Sequence, residues 1–464
     1  MTPHWKLTVE GLGKIEHAEV DIRPLTLFVG PNNTGKSYVA SLIWGVVAMQ
    51  GELEPPEGPE LEACRAWVAQ HIVEGATPVQ VAMHRADIEL FERLFRVMLE
   101  KNRAVLIQRI FKSEQITARR IAWENEACPS EMAFAWSTDR DDPEKHVLTL
   151  TDGPGTTSIK THPQTNDIRE LRAAALDMLV RRIVFYRLTR LFRRFDGPYS
   201  RIDPVYLLAS RTGFMQLYKA VARRSLERWH QDDVDNRLEL TAPSFHFIDM
   251  MAFGLRSRVG RRDFGEEADW LERALMGRVE LVSGNSAVNE YWYYPAGISK
   301  PLPMNLSSTL VTELTPVIAV LRYASSLPLF VYEEPEAHLH PELQRLVAQV
   351  IVRLVRKGLF VVVTTHSPDF CQQINNFIKL GSLAADKRAE AQAKLGYGPQ
   401  VYLEQDDVSG YEFKSDDAGT RTSVVEMKKR PSGLVMPTFN ASLASLSDEI
   451  FELTELLSEH EVVS

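Results

Sequence analysis

Residues Gly30-Pro31-Asn32-Asn33-Thr34-Gly35-Lys36-Ser37 match the phosphate-binding pattern G-x-x-x-x-G-K-[ST] at every fixed position. The flanks fit as well. Leu25 to Val29 is a short apolar run that predicts a buried strand, and Tyr38 to Met49 predicts a buried helix. A strand, a glycine-bearing turn and a helix array successive backbone N–H groups around an anion at the positive end of the helix dipole. Gly30 and Gly35 let the backbone turn and approach closely, Lys36 brings a mobile charge to the outer phosphates, and the Ser37 hydroxyl is placed to ligate Mg²⁺. Pro31, Asn32, Asn33 and Thr34 supply the backbone between them. The chain is expected to bind ATP with Mg²⁺.

A net charge of −9 argues against a surface basic throughout, while leaving room for a local basic patch. Cys64, Cys128 and Cys371 are odd in number and form no C-x-x-C pair, which points to a reducing, cytoplasmic setting rather than a disulfide framework or zinc site. No apolar signal core opens the sequence and no run reaches membrane-spanning length, so no membrane role is expected.

Two strands, Trp5 to Val9 and His17 to Ile22, are expected before the loop strand, giving an antiparallel start. Gly51 to Pro59 reads as a linker, and 60–127 as helices. Met132 to Trp136 and His146 to Leu150 read as strands around the charged turn Asp139 to Lys145. Asp167 to Phe195 reads as a long helix with Val184, Phe185, Leu188 and Leu191 on one face. Arg182, Arg187, Arg190, Arg193 and Arg194 lie on the other. That face is either a solvated one or a dock for a DNA or RNA backbone or an acidic partner. Pro204 to Ala209 is a strand candidate, 214–276 is helical with breaks near Pro243 and Gly260, and Val279 to Val282 and Tyr291 to Tyr294 return to strand.

Leu329-Phe330-Val331-Tyr332-Glu333-Glu334 describes a buried strand delivering two carboxylates to the sheet edge where nucleotides sit. Glu333 is expected to hold Mg²⁺ and Glu334 to polarise the attacking water, adjacent strand residues pointing to opposite faces. Phe360 to Thr365 is a second buried strand closed by His366, a candidate donor to the γ-phosphate. Ser307-Ser308 forms a serine-rich turn before an apolar helix, and serine hydroxyls with free N–H groups at a helix start suit an anion.

The order of phosphate loop, Ser307-Ser308 turn, Glu333-Glu334-Pro335-Glu336-Ala337-His338-Leu339-His340-Pro341 and Thr365-His366-Ser367-Pro368 resembles ABC-class ATPase heads. Among these it is similar to the SMC-like and overcoming-lysogenization-defect ATPases, many of which serve bacterial anti-phage defence. The resemblance covers 1–50 and about 200–380. It implies an α/β head with a mixed sheet, antiparallel N-terminal strands and helical insertions. It further implies a homodimer of heads sandwiching two ATP molecules, with Ser307 and Ser308 capping the γ-phosphate held by the other subunit, Pro335 to Pro341 crossing the interface, and Arg211 in a loop that senses Mg²⁺ or the γ-phosphate. Two departures stand out: the usual magnesium Asp is Glu333, and the turn lacks Ser-Gly-Gly. His338 and His340 also admit an H-x-H metal reading, though the crossing loop accounts for them more simply.

The parts are then 1–50 with the loop, 51–127 a helical insertion, 128–212 strands and the arginine helix, 213–276 a second insertion, 277–378 the remaining head, and 379–464 C-terminal strands with a closing helix from Leu443 to Glu459. Val401 to Glu404, Tyr411 to Lys414 and Ser423 to Met427 are the expected strands of that last part. Relatives often carry a nuclease there, but Asp406-Asp407 and Asp416-Asp417 fall in turns without an acid-bearing apolar strand. The expectation is an ATPase switch controlling a separate effector protein. A chromosome or repair clamp and a nuclease with a hidden site are the alternatives.

Overall fold

A computed structural model describes residues 5–49, 52–71, 79–125, 130–138, 146–152, 155–161, 176–181, 183–184, 204–228, 240–255, 264–282, 288–324, 329–437, 445 and 447–454. The chain opens with β1 (Trp5–Leu12), β2 (Ile15–Ile22) and β3 (Leu25–Val29), then α1 (Lys36–Ala48) and α2 (Pro59–His71). Next come β4 (Val79–Met83), α3 (Arg85–Phe111), β5 (Arg120–Asn125), β6 (Ser130–Thr138), β7 (His146–Asp152), β8 (Gly155–Thr161) and β9 (Val205–Leu207). α4 (Arg211–Arg228), α5 (Ala242–Asp249), α6 (Gly265–Ala274), β10 (Gly277–Val282), β11 (Glu290–Pro295) and β12 (Leu302–Pro303) follow. The last elements are α7 (Thr309–Tyr323), β13 (Leu329–Glu333), α8 (Pro341–Arg356), β14 (Phe360–Thr365), α9 (Pro368–Gly381), α10 (Ala385–Leu395), β15 (Val408–Ser415) and β16 (Thr422–Glu426).

The fold is mixed α/β. One sheet runs in the order β5-β1-β2-β16-β15-β3-β14-β13-β9. Its centre is parallel: β3 pairs with β14 and β15, and β13 pairs with β14 and β9. β3, β13 and β14 are buried at every position, the pattern expected of parallel strands covered on both faces. β1 and β2 form the antiparallel hairpin expected from the sequence. Fully burying a side chain such as Phe28 contributes about 1.5–3 kcal/mol, and Phe28 also meets Phe413 edge-on at 5.3 Å, locking β3 to β15. α1 and α8 both pack on β14, so the loop helix rests on the strand that ends in His366.

Local pattern misjudged several segments. Val79–Met83 and Arg120–Asn125 lie in the stretch expected to be helical but are strands. β5 is recruited by the free edge of β1, where Trp5 and Trp123 meet edge-to-face at 4.8 Å, so tertiary pairing overrides local preference. Val401 to Glu404 is not a strand. Its buried Val401 and Leu403 face helices instead, and Leu403 N–H donates to Phe377 O at 3.0 Å beyond any sheet. The expected break near Pro243 is present: 240–241 are not helical, and Pro243 sits in the first turn of α5, where its missing N–H costs nothing. The strands expected at Tyr411 to Lys414 and Ser423 to Met427 are present as β15 and β16, the latter ending at Glu426, and both join the main sheet.

Of the arginine-rich helix, 176–181 and 183–184 are helical; Arg182, Arg187, Arg190, Arg193 and Arg194 lie outside the described residues. The charged turn 139–145 lies outside them too, whereas β6 and β7 on either side pair antiparallel as expected. In the expected closing helix, 445 and 447–454 are helical, and the rest of it lies outside. Among the described residues no helix is long and apolar enough to cross a membrane.

Candidate nucleotide site

β3 hands the chain straight into the glycine loop. Gly30 has φ 147°, and a Cβ there would sit 2.4 Å from the Phe413 carbonyl oxygen, so glycine lets the loop pass against β15. Asn33 (φ 62°) and Gly35 (φ 90°) are left-handed, which folds the loop back over the start of α1. Lys36 is 6% exposed. Its Nζ donates to the carbonyls of Gly30 (2.8 Å) and Pro31 (2.6 Å), and Thr34 Oγ1 donates to Pro31 O at 2.9 Å. Burial lowers the Lys36 pKa, and the charges of Glu334, Glu336 and Glu333 oppose that shift. The first turn of α1 has neither an acidic residue nor a side-chain cap, so no carboxylate competes with an incoming anion there. Asn32, Asn33 and Ser37 are exposed.

Register brings the other groups to the same edge. Val29 stands opposite Thr365, and Glu333 opposite Thr364, so Gly30, Glu334 and His366 leave the sheet together. The two acids divide as the strand alternation predicts. Glu333 is buried, and its Oε2 accepts the Ala209 N–H at 3.1 Å. Its Oε1 is buried without a well-formed hydrogen bond, although the Tyr206 hydroxyl lies beside the carboxylate. That hydroxyl also contacts Ser41 Oγ at 3.1 Å, and burial foremost, then the Glu333 charge, holds its pKa well above the usual phenol range. An under-coordinated carboxylate oxygen together with the Ser37 hydroxyl is a hard-oxygen donor set that suits Mg²⁺.

Glu334 instead faces His366, with 3.6 Å between its Oε1 and the ring Nδ1. Its φ of 43° is left-handed, unusual for a non-glycine residue and costing on the order of 1–3 kcal/mol. The Glu334 N–H donates to Thr364 O at 2.8 Å, extending the ladder one residue past β13.

Two residues take roles that sequence reasoning missed. Arg211 was expected to sense Mg²⁺ or the γ-phosphate; in the structure it is fully buried and acts from behind the carboxylates. Nη1 donates to the carbonyls of Leu208 (2.8 Å) and Glu333 (2.7 Å), and Nη2 to that of Glu334 (2.9 Å). The guanidinium pairs with the equally buried Glu313 and stacks 4.8 Å from the Tyr332 ring centroid. Removing one partner of such a pair costs about 3–5 kcal/mol, which argues for a fixed geometry. Glu336, read only as part of a crossing loop, is 4% exposed. Its Oε1 accepts from Thr365 Oγ1 (2.6 Å), His366 N–H (2.9 Å) and Ser367 N–H (3.2 Å) and lies 3.7 Å from His366 Nδ1. The acidic E-P-E spacing was visible, but only the fold reveals that the second acid folds under the histidine turn.

Ser308 is the N-cap of α7, its Oγ accepting from Val311 N–H at 3.4 Å, and Ser307 Oγ donates to Pro303 O at 3.1 Å. The turn stands at the surface, with Ser308 and Thr309 exposed and Leu306 69% exposed. His338 and His340 are also exposed. Among the described residues no group of three or more His, Cys, Asp or Glu gathers into a metal cluster.

A family model described as "AAA domain, putative AbiEii toxin, Type IV TA system" matches residues 157–371. The match takes in Arg211, Ser307, Ser308, Glu333, Glu334 and His366, and begins well after the glycine loop. No curated protein matches. The chain is also similar to solved SMC heads. One is the SMC head bound to the C-winged helix domain of ScpA (13% identity, TM-score 0.34, 91% of this chain and 97% of that one). A second is the SMC head domain from Thermotoga maritima (10%, 0.32, 92% and 100%). A third is an SMC head with an extended coiled coil bound to the C-terminal domain of ScpA, derived from Pyrococcus furiosus (14%, 0.34, 96% and 99%). The family match and the assembled loop, acids and histidine together support a P-loop ATPase.

Proposed function

We propose that this chain is an ABC-class ATPase head that closes into a dimer around ATP and works as a regulatory switch for a separate effector protein. The observation that carries the reading is the convergence of Lys36, Glu333, Glu334 and His366 at one end of the parallel strands in the centre of the sheet. Mg²⁺, when bound, supplies charge neutralisation for the phosphates, and Ser37 and Glu333 are the residues to hold it. The loop N–H groups and Lys36 bind the triphosphate, Glu334 takes the proton of the attacking water, and His366 donates to the terminal phosphate. The exposed, serine-capped start of α7 is the surface offered to the nucleotide of a second subunit. The setting in bacterial anti-phage defence is part of this proposal and rests on the resemblance in sequence.

Light scattering on the Glu334→Gln protein tests the dimer: its mass should double when ATP and Mg²⁺ are added, and Ser308→Arg should block the change. ATP binding with no change in mass would remove the head-dimer reading. The purified wild type should release phosphate from ATP and leave plasmid DNA and tRNA intact; metal-dependent cleavage that survives Lys36→Ala would favour a nuclease instead. A further expectation concerns Glu336. Glu336→Gln weakens the anchor of the His366 turn, so kcat should fall about tenfold, or about 1.4 kcal/mol, with ATP affinity held within about threefold. Phosphate-release assays check the first and equilibrium titration the second.

A further inference from the structure

We infer that the buried Arg211–Glu313 pair is a positioning device that ties the backbone of Glu334 to the Ser308-capped helix α7. The inference rests on the proposal that Glu334 serves hydrolysis. It starts from the strand end. The carbonyls of Glu333 and Glu334 close β13, and the Arg211 fork donates to both, at 2.7 and 2.9 Å. Glu334 itself stands at φ 43°, a conformation a glutamate keeps only when its surroundings hold it. Its N–H is fixed by Thr364, and its carbonyl accepts from both the Ala337 N–H (3.0 Å) and Arg211, so the fork is the one side-chain restraint among the three hydrogen bonds that hold this backbone.

What aims the fork is not part of the nucleotide edge. Glu313 lies near the start of α7; its carboxylate pairs with Arg211 and accepts from Thr212 Oγ1. Arg211 and Glu313 are both 0% exposed, so neither can be re-solvated if the other shifts. Meanwhile the turn that leads into the same helix, from Leu306 to its first residue Thr309, reaches the surface. A helix moves as a unit over so short a span. A contact that displaces the exposed turn therefore moves Glu313, and through Arg211 it moves the Glu334 backbone. In a head dimer this makes each subunit's own carboxylate depend on how that subunit's α7 is seated against its neighbour. Arg211 touches no nucleotide in this scheme; it acts through Glu334.

The test uses the full chain with four variants: Arg211→Lys, Glu313→Gln, their combination, and the double Arg211→Met/Glu313→Leu, which leaves no lone buried charge. In each, kcat for ATP should fall at least tenfold while the Kd for ATP stays within about threefold. The Arg211→Lys/Glu313→Gln combination should fall no further than either single change, because both act through one fork. A pair that merely packs the core would lower the unfolding temperature and leave kcat alone. Folded variants with wild-type kcat would overturn the inference. So would a loss in Arg211→Lys that Glu313→Gln does not share, since the link to α7 would then be absent. If the single variants do not fold, the apolar double decides by the same kcat criterion. Wild-type protein without ATP hydrolysis would instead overturn the function on which the inference rests.

Discussion

Lys36→Ala should lower affinity for ATP by at least about 100-fold, equivalent to about 2.7 kcal/mol, while the protein stays folded. No other residue from Gly30 to Ser37 carries a charge, so nothing within the loop replaces the ammonium. Burial lowers the pKa of that ammonium, and the charges of Glu334, Glu336 and Glu333 oppose the shift. The amine bonds the carbonyls of Gly30 and Pro31, and Pro31 is exposed, so water can take over that acceptor in the variant. Titration of a fluorescent ATP analogue measures the loss, and far-UV circular dichroism separates it from unfolding. Unchanged affinity would remove the loop from the nucleotide site.

Glu334→Gln should reduce turnover by about 100-fold, again about 2.7 kcal/mol, this time in the transition state, with ATP still bound. Glutamine matches glutamate in size, so the left-handed backbone and its hydrogen bonds survive: Thr364 O still accepts the N–H, and Ala337 N–H and Arg211 still donate to the carbonyl. What is lost is the capacity to accept a proton from water and the charge facing His366 Nδ1 at 3.6 Å. Single-turnover phosphate release separates this chemical defect from slow product release. A variant that hydrolyses ATP at the wild-type rate would move the general base to another residue.

How much of this was legible in the sequence depended on the range over which each signal is encoded. The glycine loop, the Leu329–Glu333 strand and the Phe360–Thr365 strand are local patterns of apolar runs closed by polar groups, and they fold as read. Ser308 was legible too, since a serine before an apolar helix is a cap whatever surrounds it. Arg211 was visible at a strand end, but its partners come from Glu313 and Glu334, far along the chain, and no local spacing encodes that meeting. Glu336 was hidden differently, because its neighbours suggested a surface loop whereas three donors from Thr365 to Ser367 draw it inside. The strand at Arg120–Asn125 was missed because the free edge of β1, rather than its own pattern, makes it a strand.

The pairing of β3 with β14 and β15 has a kinetic consequence. The strand that carries the glycine loop leaves the ribosome early, yet both of its hydrogen-bonded neighbours, residues 360–365 and 408–415, are made late. Closing such distant pairs makes for high contact order and slow assembly, and it leaves the apolar Leu25–Val29 segment unpartnered through most of synthesis. A nascent or truncated chain that stops short of 408 lacks the Phe413 backbone against which Gly30 is fitted. Nucleotide capture is thereby a late event in biogenesis. Fragments ending before β15 present a bare strand edge to chaperones and proteases rather than a working ATP site.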